Sequence, residues 1–230
     1  MILSPQGYPR DNGSSDFMDS ARLAGMMITF TEFPVDNMRM HTYEVQPGIL
    51  VRCPVGDAKE TNPNNFTRDQ LLVLVSGFNN LGYHDLNKRI FYAHLKRAFF
   101  CQNKDRDLPN TNKRIWPHYF INDRGEKVFK IFDYRDLLLL HDIILLIVAA
   151  RLYWLYVFIP IGWISLLVAL VFNYFAEDSE QNQIICICKV LGFVGFYKLL
   201  TPDWKERTHR YWDGWRDEPL MAHLIIGVLE

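Results

Sequence analysis

The distribution of apolar and polar residues along the chain changes near residue 135. Before that point, apolar residues recur every three to four positions in short stretches between polar turns, a spacing that predicts helices packed on one side. After it, apolar residues dominate, and residues 152–175 carry no formal charge. The sequence predicts a polar helical part over 1–135 and a hydrophobic helical part over 136–230, with one continuous domain as the alternative.

Local signals place the ends of the first helices. Asp16 is a suitable N-terminal cap for a helix that runs to about Phe30. Thr67 and Gln70 have the spacing of a capping box, and Gly82 can end the helix that follows. A further helix is predicted over about 85–100.

Two short β-hairpins interrupt the polar part. Apolar residues flank Pro47-Gly48, and alternating segments flank residues 122–125, whose sequence Asn-Asp-Arg-Gly is typical of a turn. Residues 1–15 have the composition of a loop. The predicted fold class is therefore mainly α: a bundle-like helical fold with two small hairpins and a hydrophobic helical C-terminal half.

The uncharged run is long enough to cross a bilayer, which takes about 20 residues. One span over 152–175 with a kink at Pro160 fits, as does a re-entrant hairpin that turns at 160–162. A helix buried in a soluble bundle or at a subunit interface is also apolar all round. The residues predicted to dock on lipid or on other subunits are Leu152, Tyr153, Trp154, Tyr156, Phe158, Pro160, Trp163, Phe172 and Tyr174.

Flanking charges bear on orientation and on the end of the run. Basic residues precede it and acidic residues follow it, a bias that places the N-terminal part in the cytoplasm if the run contacts a membrane. The polar residues 177–183 are predicted to break the helical structure before a second apolar segment. A short apolar helix is predicted after Pro219.

Composition excludes several function classes. Apolar residues make up 49% and charged residues 22%, which is ordinary for a globular protein. The net charge of -1 gives no general attraction for nucleic acid. Four scattered cysteines do not form a disulfide framework, and the seven histidines lack the spacing of a zinc helix. Neither a metal nor a cofactor is expected.

An acidic and basic cluster is the candidate for catalysis. Asp16, Asp19 and Arg22 recur every three residues, and Arg68-Asp69 opens the capped helix. Paired carboxylates held by a cation suit general acid and base work, including glycoside cleavage. The same residues can instead form ion pairs that join two helix starts, and an anion site at these starts is a third interpretation.

Aromatic and basic residues alternate near the C-terminus. The segment contains Trp204, Arg207, Arg210, Trp212 and Trp215. Helical spacing favours an apolar stripe that packs in the core below a basic face. A membrane interface and the stacking of nucleic-acid bases are the alternatives.

Several short motifs resemble a poorly characterised family of bacterial and tailed-phage proteins. They are Asp11-Asn12-Gly13 through Asp19 and Arg22, Pro47-Gly48 with Leu50-Val51-Arg52, Asn65-Phe66-Thr67-Arg68-Asp69-Gln70, Gln102-Asn103-Lys104-Asp105, and Asp-Glu-Pro-Leu at 217–220. Cys53 departs from the pattern, which has a histidine there. The resemblance implies a bacterial or viral source and a helical architecture, and it supplies no reaction.

These observations favour a non-enzymatic structural or interaction protein. We expect a phage-encoded, membrane-associated or virion component whose partners are membrane lipid or other subunits of an assembly, and not nucleic acid. The alternative is a hydrolase of glycan or cell-wall type. The expected location is a virion or a host membrane with the N-terminal part cytoplasmic, or else the cytoplasm.

Overall fold

The fold is mainly α, as predicted. The computed structural model describes residues 2–10, 17, 19–31, 37–58, 60–63, 66, 68–96, 120–121, 127–128, 134–173, 178–215 and 218–230. A 3₁₀ helix spans Tyr153–Phe158, and a π-helical segment spans Arg210–Trp215. The α-helices are α1 Ser20–Phe30, α2 Asn37–His41, α3 Arg68–Asn80, α4 His84–Lys96, α5 Tyr134–Ala149, α6 Ile159–Asn173, α7 Asp178–Leu191, α8 Val194–Leu200, α9 Trp204–His209 and α10 Pro219–Leu229.

Short antiparallel hairpins lie between the helices. The two predicted hairpins are confirmed as β3 Glu44–Gln46 with β4 Ile49–Leu50, and β5 Phe120–Ile121 with β6 Lys127–Val128. A third hairpin joins β1 Ile2–Leu3 to β2 Pro9–Arg10, where the sequence predicted a loop. Pro5, Gly7 and Pro9 are typical of a loop, and no alternating apolar segments flank them, so the sequence pattern did not indicate this hairpin.

Helices α1 and α3 run side by side in the same direction. Gly25 has no side chain at the crossing, and a Cβ atom there would lie 2.5 Å from the backbone oxygen of Val73. Further along the pair, the Asn80 amide donates to the Ile28 carbonyl at 2.6 Å. Because the helices are parallel, their N-terminal ends lie at one end of the core.

Helix α1 is buried on every side. Its buried residues include the polar Ser20, Arg22 and Thr29, so the prediction of a helix packed on one side is wrong. The reason is its central position, in contact with α3, α10 and β2. One hydrophobic core includes residues from both sides of residue 135.

A tight turn ends α5 and reverses the chain. Arg151 is left-handed, with φ of 50°, and its backbone N–H donates to the Val148 carbonyl at 2.9 Å. The backbone N–H of Leu152 donates to the Ile147 carbonyl at 3.0 Å. These two bonds form a Schellman motif, which normally has glycine at the left-handed position. The chain turns back here, and not at 160–162 as the hairpin interpretation predicted.

The uncharged run is therefore not one helix. Its first residues form the 3₁₀ helix, and α6 begins at Ile159 and packs back against α5. The predicted continuous span over 152–175 is wrong, because the run divides into the 3₁₀ helix and the shorter α6, which packs against α5. Pro160 occupies the second position of α6, where no backbone N–H is needed. Within the described ranges, no helix combines the length and hydropathy that crossing a bilayer requires.

Helix α7 begins inside the predicted polar break. It starts at Asp178, so residues 178–183 are helical and the prediction of a break there is wrong. Gln181 is buried in this stretch and donates from its amide to the Tyr197 hydroxyl at 2.5 Å and to the Trp204 carbonyl at 3.2 Å. These partners come from later segments and allow a polar residue to lie in the core.

Replacing Arg151 by glycine should stabilise the protein. The left-handed conformation costs a residue with a Cβ about 1 kcal/mol, and glycine adopts it freely. Since Arg151 is exposed and no described carboxylate forms an ion pair with it, Arg151→Gly removes this cost without removing a salt bridge. We expect the free energy of unfolding, measured by urea denaturation, to rise by about 1 kcal/mol. An unchanged or lower value would contradict the assigned strain.

Candidate functional site

The most prominent surface feature is an exposed apolar area on the hydrophobic half. Trp154 is 67% exposed, Val157 72% and Leu199 72%. We define the outer face by the exposed apolar residues of the 3₁₀ helix, α6 and α8, namely Tyr153, Trp154, Val157, Phe158, Ile161, Trp163, Ile164, Val171, Phe196 and Leu199. Contiguous exposed areas of this kind mark sites of interaction with a membrane or another protein.

Helical geometry explains why these side chains point outward together. Val157, Ile161, Ile164 and Val171 are separated by four, three and seven positions, so they form one stripe along the helical surface. On the opposite side, Gly162 lies so near α5 that a Cβ atom there would overlap Ile144. Helix α6 is therefore apolar towards the core and apolar towards the outside.

Aromatic rings connect α6 to α8. The ring of Phe193 lies 5.5 Å from the rings of both Trp163 and Phe196, measured between centroids. At the other end of the face, the rings of Tyr153 and Tyr156 are 5.1 Å apart. The Phe193 contacts connect the α6 and α8 parts of the outer face, and the 3₁₀ helix runs directly into α6.

The predicted docking residues divide into three groups. Tyr153, Trp154, Phe158, Pro160 and Trp163 are exposed, and Tyr156 is half-buried. Leu152 is buried, so its prediction as a docking residue is wrong: it closes the turn after α5. Tyr174 and the side chain of Phe172 lie outside the described part of the chain.

The acidic and basic cluster joins the starts of α1 and α3. The Arg22 guanidinium lies 2.8 Å from the Asp19 carboxylate and 3.8 Å from that of Asp69. Gln70 completes the connection: its amide N–H donates to Asp19 at 2.9 Å, and its amide oxygen accepts from the backbone N–H of Arg22 at 3.0 Å. The side chains of Arg22, Asp19 and Asp69 are 7%, 16% and 33% exposed.

The cluster also corrects the predicted start of the first helix. That helix begins at Ser20, so Asp19 and not Asp16 precedes it, and the Asp19 carboxylate binds side chains instead of capping backbone N–H groups. Asp11, Asp16 and the Arg68 side chain lie outside the described residues. What the described members do is hold two helix starts together.

Residues 52–58 and Glu60 pack against the same end of the core, which no sequence pattern predicted. Glu60 accepts hydrogen bonds from the backbone N–H groups of Phe17 and Asp57, at 3.3 and 3.0 Å. Burial raises the pKa of Glu60, and the Asp57 side chain raises it further. Burial likewise raises the pKa of the Cys53 thiol, which keeps this cysteine protonated and unreactive at neutral pH.

Tyr43 and Ser20 extend the polar contacts at this end of the core. Their hydroxyl groups lie 2.8 Å apart, and burial raises the pKa of Tyr43 well above its usual value. Neither residue was predicted to take part, because each looks like an ordinary core or cap residue in the sequence. The carboxylates of Asp19 and Glu60 bind other groups of the same chain. The hydrolase alternative stays a prediction.

The C-terminal aromatic segment contributes mainly to the core. Trp204, Arg207 and Trp212 are buried, and Arg210 is exposed. The rings of Trp204 and Tyr197 lie 6.4 Å apart, and Lys198 and Lys205 each place their ammonium group 5.7 Å from the Trp204 ring. The Trp215 side chain is outside the described residues. Trp204, Arg207 and Trp212 are thus not available as interface residues in this conformation.

We compared the chain with protein-family models, with characterised proteins and with solved structures. Nothing matches. The resemblance to a bacterial and phage family therefore stays a prediction.

Proposed function

We propose that the protein is a non-enzymatic interaction component that docks on a lipid surface through the outer face. In this arrangement α6 lies in the plane of the surface, and the core behind it faces away from the lipid. Interfacial helices of this kind bury an apolar side at the boundary between headgroups and acyl chains.

The outward apolar stripe along the 3₁₀ helix and α6 is the observation that carries the proposal. A surface helix of a globular protein normally has polar residues on its solvent side. Here Val157, Ile161, Ile164 and Val171 are exposed, while the opposite side of α6 already packs on α5. Leaving a second apolar stripe in water is costly, so a partner is needed to cover it.

A lipid surface suits this face better than a second protein chain. Protein interfaces combine apolar area with polar and hydrogen-bonding groups, whereas residues 152–175 contain no charge. Tyr153 and Trp154 follow the exposed Arg151 at one end of the face. Tyrosine and tryptophan are enriched where headgroups meet acyl chains, and a nearby arginine is attracted to anionic headgroups.

Binding to vesicles tests the proposal. Purified protein is floated with vesicles of phosphatidylcholine, and with vesicles that also contain the anionic phosphatidylglycerol. We expect the wild type to float, and Val157→Asp to weaken the partition at least about tenfold, because burying a valine contributes about 1.5 kcal/mol or more and the carboxylate opposes burial. Val45→Asp, at an exposed valine of β3, is the matched control and should bind as the wild type does.

Two results would overturn docking on lipid. One is that the wild-type protein does not float with either type of vesicle and stays at the bottom of the gradient. The other is a wild type that forms a dimer by sedimentation velocity, with Val157→Asp abolishing the dimer and leaving flotation unchanged. That second result would assign the outer face to a copy of the chain.

A further inference from the structure

An apolar cavity lies beside the outer face, between α4, α5, the 3₁₀ helix and α6. Its volume is about 290 Å³. Every residue that lines it is apolar, including Phe91, Leu95, Ile147, Leu155, Phe158 and Ile161. A ligand inside would meet no hydrogen-bond donor or acceptor from a side chain, so the cavity suits hydrocarbon alone.

The cavity and the outer face share residues. Phe158 and Ile161 line the cavity and are also about half exposed on the outer face, and Leu95 is half exposed on the α4 side. The mouth of the cavity therefore opens where the proposed function places lipid. A chain that enters from the lipid surface need not cross water.

The volume decides between possible occupants. An apolar cavity of about 150 Å³ is enough to bind benzene, so this one is roughly twice the size that a single aromatic ring needs. One side chain from another protein would leave much of the cavity empty and lose the packing contacts of its walls. A flexible hydrocarbon chain can follow the walls and fill the space.

We propose that this cavity takes one acyl chain of a lipid from the surface on which the outer face docks. The inference rests on the proposed function and extends it from a lipid surface to a lipid ligand. The headgroup stays outside, because the cavity offers it no polar partner. The bound chain also covers the inner walls of the cavity when the protein is on the surface.

The test uses vesicles of phosphatidylcholine with a nitroxide spin label near the end of one acyl chain. We expect the wild type to immobilise about one labelled chain per bound protein in the electron paramagnetic resonance spectrum. Leu155→Trp fills the cavity with an indole and should remove this immobilised component while flotation stays within about twofold of the wild type. Val45→Trp adds the same ring at an exposed position of β3, away from the cavity and from the outer face, and should keep the component.

Leu95→Trp fills the cavity from the α4 side and provides a second variant if Leu155→Trp does not fold, as judged by circular dichroism. An immobilised component that persists in the folded, cavity-filled protein overturns the acyl-chain site but leaves docking intact. Loss of flotation by the wild type overturns docking itself. Immobilisation of spin-labelled stearate in solution, with none of the labelled phospholipid, would assign the cavity to a free fatty acid and overturn the bilayer source.

Discussion

Arg22→Met should destabilise the protein by about 3–5 kcal/mol, the largest effect that we expect from a single substitution. The Arg22 side chain is 7% exposed and lies 2.8 Å from the Asp19 carboxylate. Removing one partner of a buried ion pair leaves the other charge without compensation, and this desolvated charge accounts for most of the loss. Urea denaturation followed by circular dichroism measures the change.

A double variant and an exposed arginine make this test specific. Asp19→Asn combined with Arg22→Met removes both charges and keeps an oxygen for the Gln70 amide, so it should be more stable than Arg22→Met alone. Arg89→Met removes an arginine that is 43% exposed and pairs with Glu44, and it should cost no more than about 1 kcal/mol. If Arg22→Met and Arg89→Met lowered the free energy of unfolding equally, the buried cluster would not join the two helices.

Gly25→Ala should destabilise the protein by about 3 kcal/mol, although alanine is the better helix former. The added Cβ would lie 2.5 Å from the Val73 oxygen and 2.7 Å from the Leu74 nitrogen. These are backbone atoms of α3 and cannot rotate away, so α1 and α3 have to move apart and the core between them loosens. The free energy of unfolding from urea denaturation is again the measurement.

Gly227→Ala is the control for the effect of the substitution itself. Gly227 is exposed in α10, and a Cβ atom there would meet nothing within 4 Å. Since alanine restricts the unfolded chain and favours helix, we expect this variant to gain about 0.5–1 kcal/mol. If both variants changed stability in the same direction, the close approach of α1 to α3 would not be the cause.

The sequence correctly predicted the elements that are determined by neighbouring residues. The pattern of apolar residues and Gly82 placed α3, Pro219 placed α10, and the turn residues at 47–48 placed the β3–β4 hairpin. Each of these features depends on neighbours within one or two turns of chain, which a single sequence contains. The mainly helical class follows from the sum of such signals.

Most of the failures involve partners that are distant in the sequence. Residues 178–183 read as a break because they are polar, and only Tyr197 and Trp204 make a buried Gln181 tolerable. The turn at Arg151 is a local motif, but the left-handed position has no glycine that would indicate it in the sequence. At the cluster, Gln70 looked like part of a local capping box, whereas its amide binds Asp19 and Arg22 on another helix. Single-sequence patterns do not identify such partners.

The parallel arrangement of α1 and α3 has a consequence for the order of folding. Helices α5 and α6 are joined by a turn and the 3₁₀ helix, so their pairing closes only a small loop. The bond from Arg22 to Gln70 instead connects positions 48 apart, and closing so long a loop costs more chain entropy before any contact compensates for it. We therefore expect α5 and α6 to pair early in folding, before α1 packs against α3.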